Sequence, residues 1–108
     1  MQKLISMTGR EWHWPGYNYL GPGTKLRERQ ASSNPKYRNP VNRLDALALK
    51  HDLAYEAASR SGGSKKDILA AKHKADREMV SAIKNLKNKT VPERIIRGVI
   101  GSKEKLGL

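Results

Sequence analysis

The chain has 108 residues, of which 22 are Lys or Arg, 10 are Asp or Glu and none is Cys, and its formal net charge is +12 at pH 7. This length predicts one small domain, and the lack of cysteine excludes a disulfide framework and cysteine-based zinc sites. No stretch approaches the ~20 apolar residues of a membrane span, and the N-terminus lacks the apolar run of a secretory signal.

Residues 1–41 contain four of the five prolines, so we predict loops and turns there. Within them, the segment YNYLGPGT at residues 17–24 combines two tyrosines with a glycine-proline-glycine turn. Such a run is typical of any turn. It is also typical of a loop that presents backbone carbonyl and amide groups to a ligand, because glycine lets the backbone approach closely.

From Asn42 onward the sequence predicts three helices in a mainly α fold. The first occupies residues 42–60, with Asn42 as a cap and Asp45 in the first turn, and it ends at the glycine turn of residues 61–64. The second begins with a capping pattern at Ser64 and continues to residue 88, and a shorter third helix begins at Thr90. We expect the first two helices to be antiparallel. The apolar stripe predicted for the second helix is Leu69, Met79, Val80, Ile83 and Leu86.

His51 and Asp76 are titratable residues at positions where helical spacing predicts apolar side chains. His51 shares one helix face with Leu44, Ala48 and Tyr55. A buried carboxylate without a partner is costly, so we expect Asp76 to meet His51, with the Tyr55 hydroxyl on the same carboxylate. An imidazole oriented by a carboxylate is the arrangement of a general base, although a single His on a helix face is also typical of a purely structural residue.

Asp52 lies next to His51 and points about 100° away around the helix. A carboxylate close to a glycine-rich loop suggests Ca²⁺, a hard cation that binds carboxylate and backbone carbonyl oxygens together. The segment at residues 17–24 could supply those carbonyls.

Four motifs in order resemble the phospholipase A2 domain of the unique N-terminal region of parvovirus minor capsid proteins, a cysteine-free relative of secreted phospholipase A2. They are YLGPG at residues 19–23, PVN at 40–42, HDLAY at 51–55 and KAD at 74–76. The resemblance implies a single domain over residues 1–108, with its core at about 12–88 and a C-terminal helix or tail at 89–108. It also implies two antiparallel helices that carry the active site and an N-terminal calcium loop.

The resemblance further implies calcium-dependent hydrolysis of the sn-2 ester of glycerophospholipids. By this resemblance, His51 would be the base that activates water, and Asp76 would orient the His51 imidazole. Tyr55 would support Asp76, and the Gly21 amide would stabilise the oxyanion. The calcium ligands would be the carbonyls of Tyr19, Gly21 and Gly23 with the carboxylate of Asp52. Plausible walls for an acyl chain are Trp14, Leu20, Leu44, Leu47 and Ala48, each of which would serve equally well as ordinary core.

The resemblance also implies a phospholipid membrane as partner, the remainder of a viral capsid as context, and a location in the capsid interior of the virion that becomes exposed in the host endosome during entry. Two alternatives remain open. A basic module that binds nucleic acid or membrane without catalysis explains the charge but not His51 and Asp76. A metal-dependent phosphohydrolase would need His13 or His73 to share a site with His51, and neither has a helical spacing to it that favours this.

Overall fold

The structure is a computed structural model that describes residues 16–20 and 26–106, apart from the side chain of residue 104, together with the backbone of residues 5–7 and 11–13. Trp14, Gly21 and Gly23, which carry predicted site roles, lie outside these ranges. The chain divides into two compact units, residues 1–52 and 53–108. The prediction of one domain over the whole chain stays a prediction.

The first unit contains four short elements where the sequence led us to expect only loops and turns. Strands β1 (Ile5–Met7) and β2 (Glu11–His13) pair antiparallel, with Ile5 opposite His13. Helices α1 (Leu26–Ala31) and α2 (Pro35–Arg38) follow. The side chain of Asn34 accepts a hydrogen bond from the backbone N–H of Lys36, and Pro35 occupies the first turn, so α2 has a regular N-terminal cap despite its proline. The expectation of loops was therefore wrong in these segments.

The three predicted helices are present, and the fold is mainly α as expected. They are α3 (Arg43–Ser59), α4 (Lys65–Lys84) and α5 (Val91–Lys105). Their predicted caps are all formed. The Asp45 N–H donates to Oδ1 of Asn42, the Asp67 N–H donates to Oγ of Ser64, and Thr90 and Glu93 exchange two hydrogen bonds in a reciprocal capping box. Local side-chain chemistry thus fixes where each helix begins.

Two details of the second predicted helix need correction. It ends at Lys84 rather than at residue 88. The N–H of Leu86 bonds to the carbonyl of Ile83, three residues back instead of four, and Asn88 then adopts a positive φ of 52°. Leu69 is 41% exposed and lies outside the buried stripe, whose members are Ala75, Asp76, Met79 and Ile83. Between α3 and α4, Gly62 has a φ of 76°, which favours glycine in this turn.

Each unit has its own buried apolar residues. In the first unit they are Tyr19, Leu20, Leu44 and Ala48. In the second unit α5 packs against α4, and the buried residues are Ala58, Ala75, Met79, Ile83, Ile96 and Ile100. None of the helices in the described ranges combines the length and the apolar character of a membrane-spanning segment.

Candidate active site

His51 and Asp52 lie side by side near the middle of α3 and are both largely covered. The side chains are 13% and 22% exposed, and Nδ1 of His51 is 3.8 Å from Oδ1 of Asp52. A protonated imidazole at this distance would interact favourably with the carboxylate. The predicted base and the predicted calcium ligand are thus immediate neighbours in electrostatic contact.

The second oxygen of Asp52 has no such interaction. Oδ2 is buried and accepts no hydrogen bond from the residues that the structure describes. Burial raises the pKa of the Asp52 carboxyl above its ordinary value; the interaction with His51 partly offsets this, and the charge of Asp45 adds to it. A buried carboxylate oxygen of this kind is a suitable ligand for a hard cation. The chemistry of Asp52 therefore fits calcium.

Asp45 joins the N-terminal end of α3 to residues 18–19, which precede the predicted calcium ligands Gly21 and Gly23. It is fully buried, and its Oδ1 accepts a 2.7 Å hydrogen bond from the Tyr19 N–H. Its Oδ2 accepts hydrogen bonds of 3.0 Å from the N–H groups of Asn18 and Val41. Asp45 and Asp52 are seven residues apart, so they project from the same face of α3. Tyr19 is therefore held on the face of the helix that carries Asp52.

A second set of hydrogen bonds holds the same segment from α1 and α2. Arg29 is only 2% exposed. Its Nη1 donates to Oδ1 of Asn18 at 3.1 Å and to the carbonyl of Tyr37 at 3.2 Å. Its guanidinium also stacks on the Tyr37 ring, 4.1 Å from the ring centre. The Tyr19 hydroxyl donates to the carbonyl of Arg38. Asn18 in turn donates through Nδ2 to two carbonyls of the residue 36–39 segment at 2.8 and 2.6 Å. Sequence reasoning missed both Arg29 and the docking role of Asp45.

In the second unit, Tyr55 and Asp76 form the predicted hydrogen bond. The Tyr55 hydroxyl donates to Oδ1 of Asp76 at 2.6 Å, and Asp76 is only 2% exposed. Lys103 on α5 adds a contact that the sequence did not suggest, because its Nζ donates to the Tyr55 hydroxyl at 2.6 Å and lies 3.8 Å from Oδ1 of Asp76. The ammonium is also 4.7 Å from the centre of the Tyr55 ring. The carboxylate of Asp76 thus lies in a small buried network with one hydroxyl and one cation.

A groove of about 290 Å³ runs between α4 and α5 and reaches Asp76. It combines cationic and apolar walls and is lined by Asp76, Arg77, Val80, Ser81, Lys84, Ile100 and Gly101. At Gly101 the two helices are in ordinary van der Waals contact, because a Cβ at this position would lie 3.8 Å from Cγ2 of Val80. The surroundings of Asp76 are therefore open on the α4–α5 side although the carboxylate itself is covered.

The remaining predicted residues differ in how they are placed. Leu20, Leu44 and Ala48 are 6%, 1% and 2% exposed, as core residues are, while Leu47 is half-buried. Their contact with an acyl chain stays a prediction, as does the pairing of His51 with Asp76.

Asp52 belongs to no cluster of three or more His, Asp or Glu side chains within the described ranges. The predicted ligand set is one carboxylate with backbone carbonyls, of which those of Gly21 and Gly23 lie outside the described residues.

Comparison with known proteins supports the same family. Residues 10–103 match the family described as "Phospholipase A2-like domain". The capsid protein VP1 of murine minute virus, prototype strain, is 34% identical over 79 residues, which is 73% of this chain. VP1 of Diatraea saccharalis densovirus is 33% identical over 101 residues, or 94% of this chain, and the minor capsid protein VP1 of human bocavirus 2 is 32% identical over 91 residues, or 84%.

The chain spans only 9 to 11% of the length of these relatives. No solved structure matches it. Because the family match covers nearly the whole chain, the protein belongs to the phospholipase A2-like domain family and is similar to part of the VP1 capsid proteins of parvoviruses and densoviruses.

Proposed function

We propose that the chain is a calcium-dependent phospholipase A2 that hydrolyses the sn-2 ester of glycerophospholipids. The observation that carries the proposal is the His51–Asp52 pair on α3, in which an imidazole lies 3.8 Å from a buried carboxylate. The second carboxylate oxygen is buried without a hydrogen bond from the described residues. A general base directly beside a suitable calcium ligand is what metal-assisted ester hydrolysis requires.

The proposed calcium ligands are the Asp52 carboxylate and the backbone carbonyls of Tyr19, Gly21 and Gly23. Calcium would supply Lewis-acid stabilisation of the negative charge that develops on the ester carbonyl oxygen. The hydrogen bonds from Asn18 and Tyr19 to Asp45 support this set, because they hold the start of the loop on the helix face that bears Asp52.

His51 is the proposed general base, which removes a proton from the water that attacks the ester. Asp76 is its proposed partner and would hold the imidazole in one tautomer. The helical spacing of His51 and Tyr55, one turn apart on α3, supports this pairing, because both side chains project from one face and Tyr55 donates to Asp76 at 2.6 Å. The Gly21 amide would donate to the oxyanion. The chain would form no covalent intermediate.

The proposed acyl-chain contacts are Trp14, Leu20, Leu44, Leu47 and Ala48. Leu44, Leu47 and Ala48 lie on α3 within two turns before His51, which supports a position for the acyl chain along the helix that carries the base. Their burial in the first unit serves its packing equally well.

The relatives are capsid proteins, so we propose that this chain also acts as a virion component, together with the remainder of a capsid. Its substrate would be a phospholipid membrane that the virus breaches during entry, in the endosome of the host cell. The net charge of +12 suits an anionic bilayer, with nucleic acid as a secondary partner.

Release of fatty acid from a phospholipid labelled at the sn-2 acyl chain, followed with calcium and with a chelator, tests the proposal. We expect release of the labelled acyl chain with calcium and none with chelator. Hydrolysis that survives chelation would contradict the calcium mechanism. No release under either condition would favour the alternative of a basic binding module without catalysis.

A further inference from the structure

Helix α5 presents apolar side chains on two different faces. Ile96 and Ile100 are 6% and 9% exposed and belong to the core that α5 forms with α4. A second set is exposed to solvent: Val91, Ile95 and Val99 on α5, and Leu106 directly after its last residue, are 67%, 50%, 56% and 71% exposed. At about 100° per residue Val91, Ile95 and Val99 fall within an arc of about 80°. The N–H of Leu106 still bonds to the carbonyl of Ser102 at 3.1 Å, as in an α-helix, so Leu106 continues the same face. We call them the outer stripe of α5.

The outer stripe concentrates exposed apolar surface on one element. Of the seven large apolar residues that are exposed in the described part of the chain, four belong to this stripe. The other three belong to other parts of the chain: Val41 precedes α3, Leu53 is on α3 and Leu69 is on α4. Single exposed apolar residues are normal on a protein surface, whereas a contiguous apolar patch marks an interaction site.

Basic residues border the stripe. Arg94 and Lys105 are exposed and lie on one side of it, about 60° and 40° around the helix from Val91. The acidic residue of the first turn, Glu93, is 2% exposed and bonded to Thr90, so its carboxylate does not face this border. An apolar stripe with a cationic border on an amphipathic helix matches the boundary between headgroups and acyl chains of an anionic bilayer. A second copy of this chain fits less well, because each copy carries +12.

We propose that α5 is the helix by which the protein seats itself on an anionic phospholipid bilayer, with the outer stripe below the headgroups and Arg94 and Lys105 among them. This inference rests on the proposed function, which makes the bilayer the source of substrate. Helix α5 would then have two roles. Lys103, on the inner face of the same helix, bonds to Tyr55 beside Asp76, so α5 carries both the outer stripe and a contact to this pair.

Vesicle co-sedimentation of the 108-residue chain in chelator tests the inference without any hydrolysis. The vesicles are phosphatidylcholine alone or phosphatidylcholine mixed with phosphatidylserine. We expect strong binding only to the mixed vesicles, and we expect Val99→Asp to weaken it at least about tenfold, because an apolar side chain is lost from the bilayer and a charge is added. Leu69→Asp, which makes the same kind of change at an exposed apolar residue of α4 outside the stripe, is the matched control and should bind like the unaltered chain.

Three results would overturn the inference. They are unchanged binding of the Val99→Asp variant, equal loss in the Leu69→Asp variant, and a lipid-free dimer that Val99→Asp converts to monomer, which would assign the stripe to self-association. Turnover separates the two proposals. Val99→Asp should lower hydrolysis of mixed vesicles while hydrolysis of a short-chain phospholipid dissolved as monomers stays unchanged. If the unaltered chain hydrolyses neither substrate but binds mixed vesicles through the stripe, the proposed enzymatic function fails and the seating inference holds.

Discussion

The ammonium of Lys103 donates a 2.6 Å hydrogen bond to the hydroxyl of Tyr55, and that hydroxyl donates at the same distance to Asp76. The three groups come from helices α5, α3 and α4. Lys103 also lies 3.8 Å from Oδ1 of Asp76, so a buried carboxylate that would be costly alone is balanced by a nearby cation. The C-terminal helix is therefore tied to the residue that we propose orients the base.

Replacing Lys103 by Met tests its role as a positioning residue. Lys103 donates to the Tyr55 hydroxyl and lies 3.8 Å from Oδ1 of Asp76, so its removal should loosen the Tyr55–Asp76 pair that we propose orients His51. Tyr55, Asp76 and Lys72, whose ammonium lies 5.4 Å from the Tyr55 ring centre, remain as the other polar groups of this network. We expect kcat to fall about tenfold, equivalent to ~1.4 kcal/mol, with KM nearly constant.

Lys103→Arg is the matched variant, since it keeps the charge and should restore most of kcat. A Met variant with an unchanged kcat and reduced thermal stability would make Lys103 purely structural.

Replacing Asp52 by Asn should have opposite effects with and without calcium. In chelator the variant should melt at a higher temperature than the unaltered chain at pH 7, because a buried carboxylate with a raised pKa is removed. A carboxyl whose pKa is higher in the folded state destabilises the fold as it ionises, so the unaltered chain loses stability as pH rises through the ordinary Asp range of about 4 and above. The advantage of the variant should therefore shrink as the pH is lowered toward about 4.

The same two proteins should also be compared with calcium present. At a concentration about a hundredfold above its Kd, calcium should stabilise the unaltered chain by ~2.7 kcal/mol and the Asp52→Asn variant hardly at all. Differential scanning calorimetry measures both effects. Equal calcium stabilisation of the two proteins would show that Asp52 is not a calcium ligand.

Asp45 should matter for both stability and calcium affinity. In Asp45→Asn an amide NH2 replaces one of the two oxygens that accept backbone hydrogen bonds, and this NH2 faces an N–H donor. At least one of the three bonds from Asn18, Tyr19 and Val41 is therefore lost. We expect a loss of ~1–3 kcal/mol in the free energy of unfolding, measured with urea. Calcium affinity should fall as well, because the segment before Gly21 is less firmly held. Asp67→Asn, at an exposed first-turn acid of α4, is the control and should change neither quantity appreciably.

We expect that even the conservative substitution Arg29→Lys will not preserve the role of Arg29. Lys cannot reproduce a guanidinium that donates to Asn18 and the Tyr37 carbonyl while it stacks on the Tyr37 ring. We expect Arg29→Lys to lower the melting temperature and the calcium affinity together, whereas Arg27→Lys on the exposed side of α1 leaves both nearly unchanged. If the melting temperature fell with no change in calcium affinity, the α1–α2 segment would stabilise the fold without positioning the loop.

Much of the second half of the fold could be predicted from the sequence, because its signals are local. The caps at Asn42, Ser64 and Thr90 mark the three long helices by hydrogen bonds within one turn. The buried position of Asp76 could be predicted from helical spacing alone. The same reasoning could have found Lys103, which is seven residues after the buried Ile96 and hence on the inner face of α5.

The first half could not be predicted in the same way. Its prolines and polar residues are typical of loops, yet Pro35 begins a helix and the elements there are only three to six residues long. What stabilises them is long-range: Arg29 bonds to Asn18 and Asp45 bonds to Tyr19, across 11 and 26 residues. No periodic pattern encodes such contacts, so Asp45 could be interpreted only as a first-turn acid.

The calcium dependence of lipid turnover, measured in parallel for the unaltered chain and for His51→Gln, tests the central claim most directly. We predict turnover that follows the calcium titration of the unaltered chain. The His51→Gln variant should bind calcium with a similar midpoint but lose at least about a hundredfold in kcat, as expected for removal of a general base. Substantial turnover in His51→Gln at saturating calcium, or turnover of the unaltered chain that is independent of calcium, would contradict a mechanism in which His51 activates water beside a bound calcium ion.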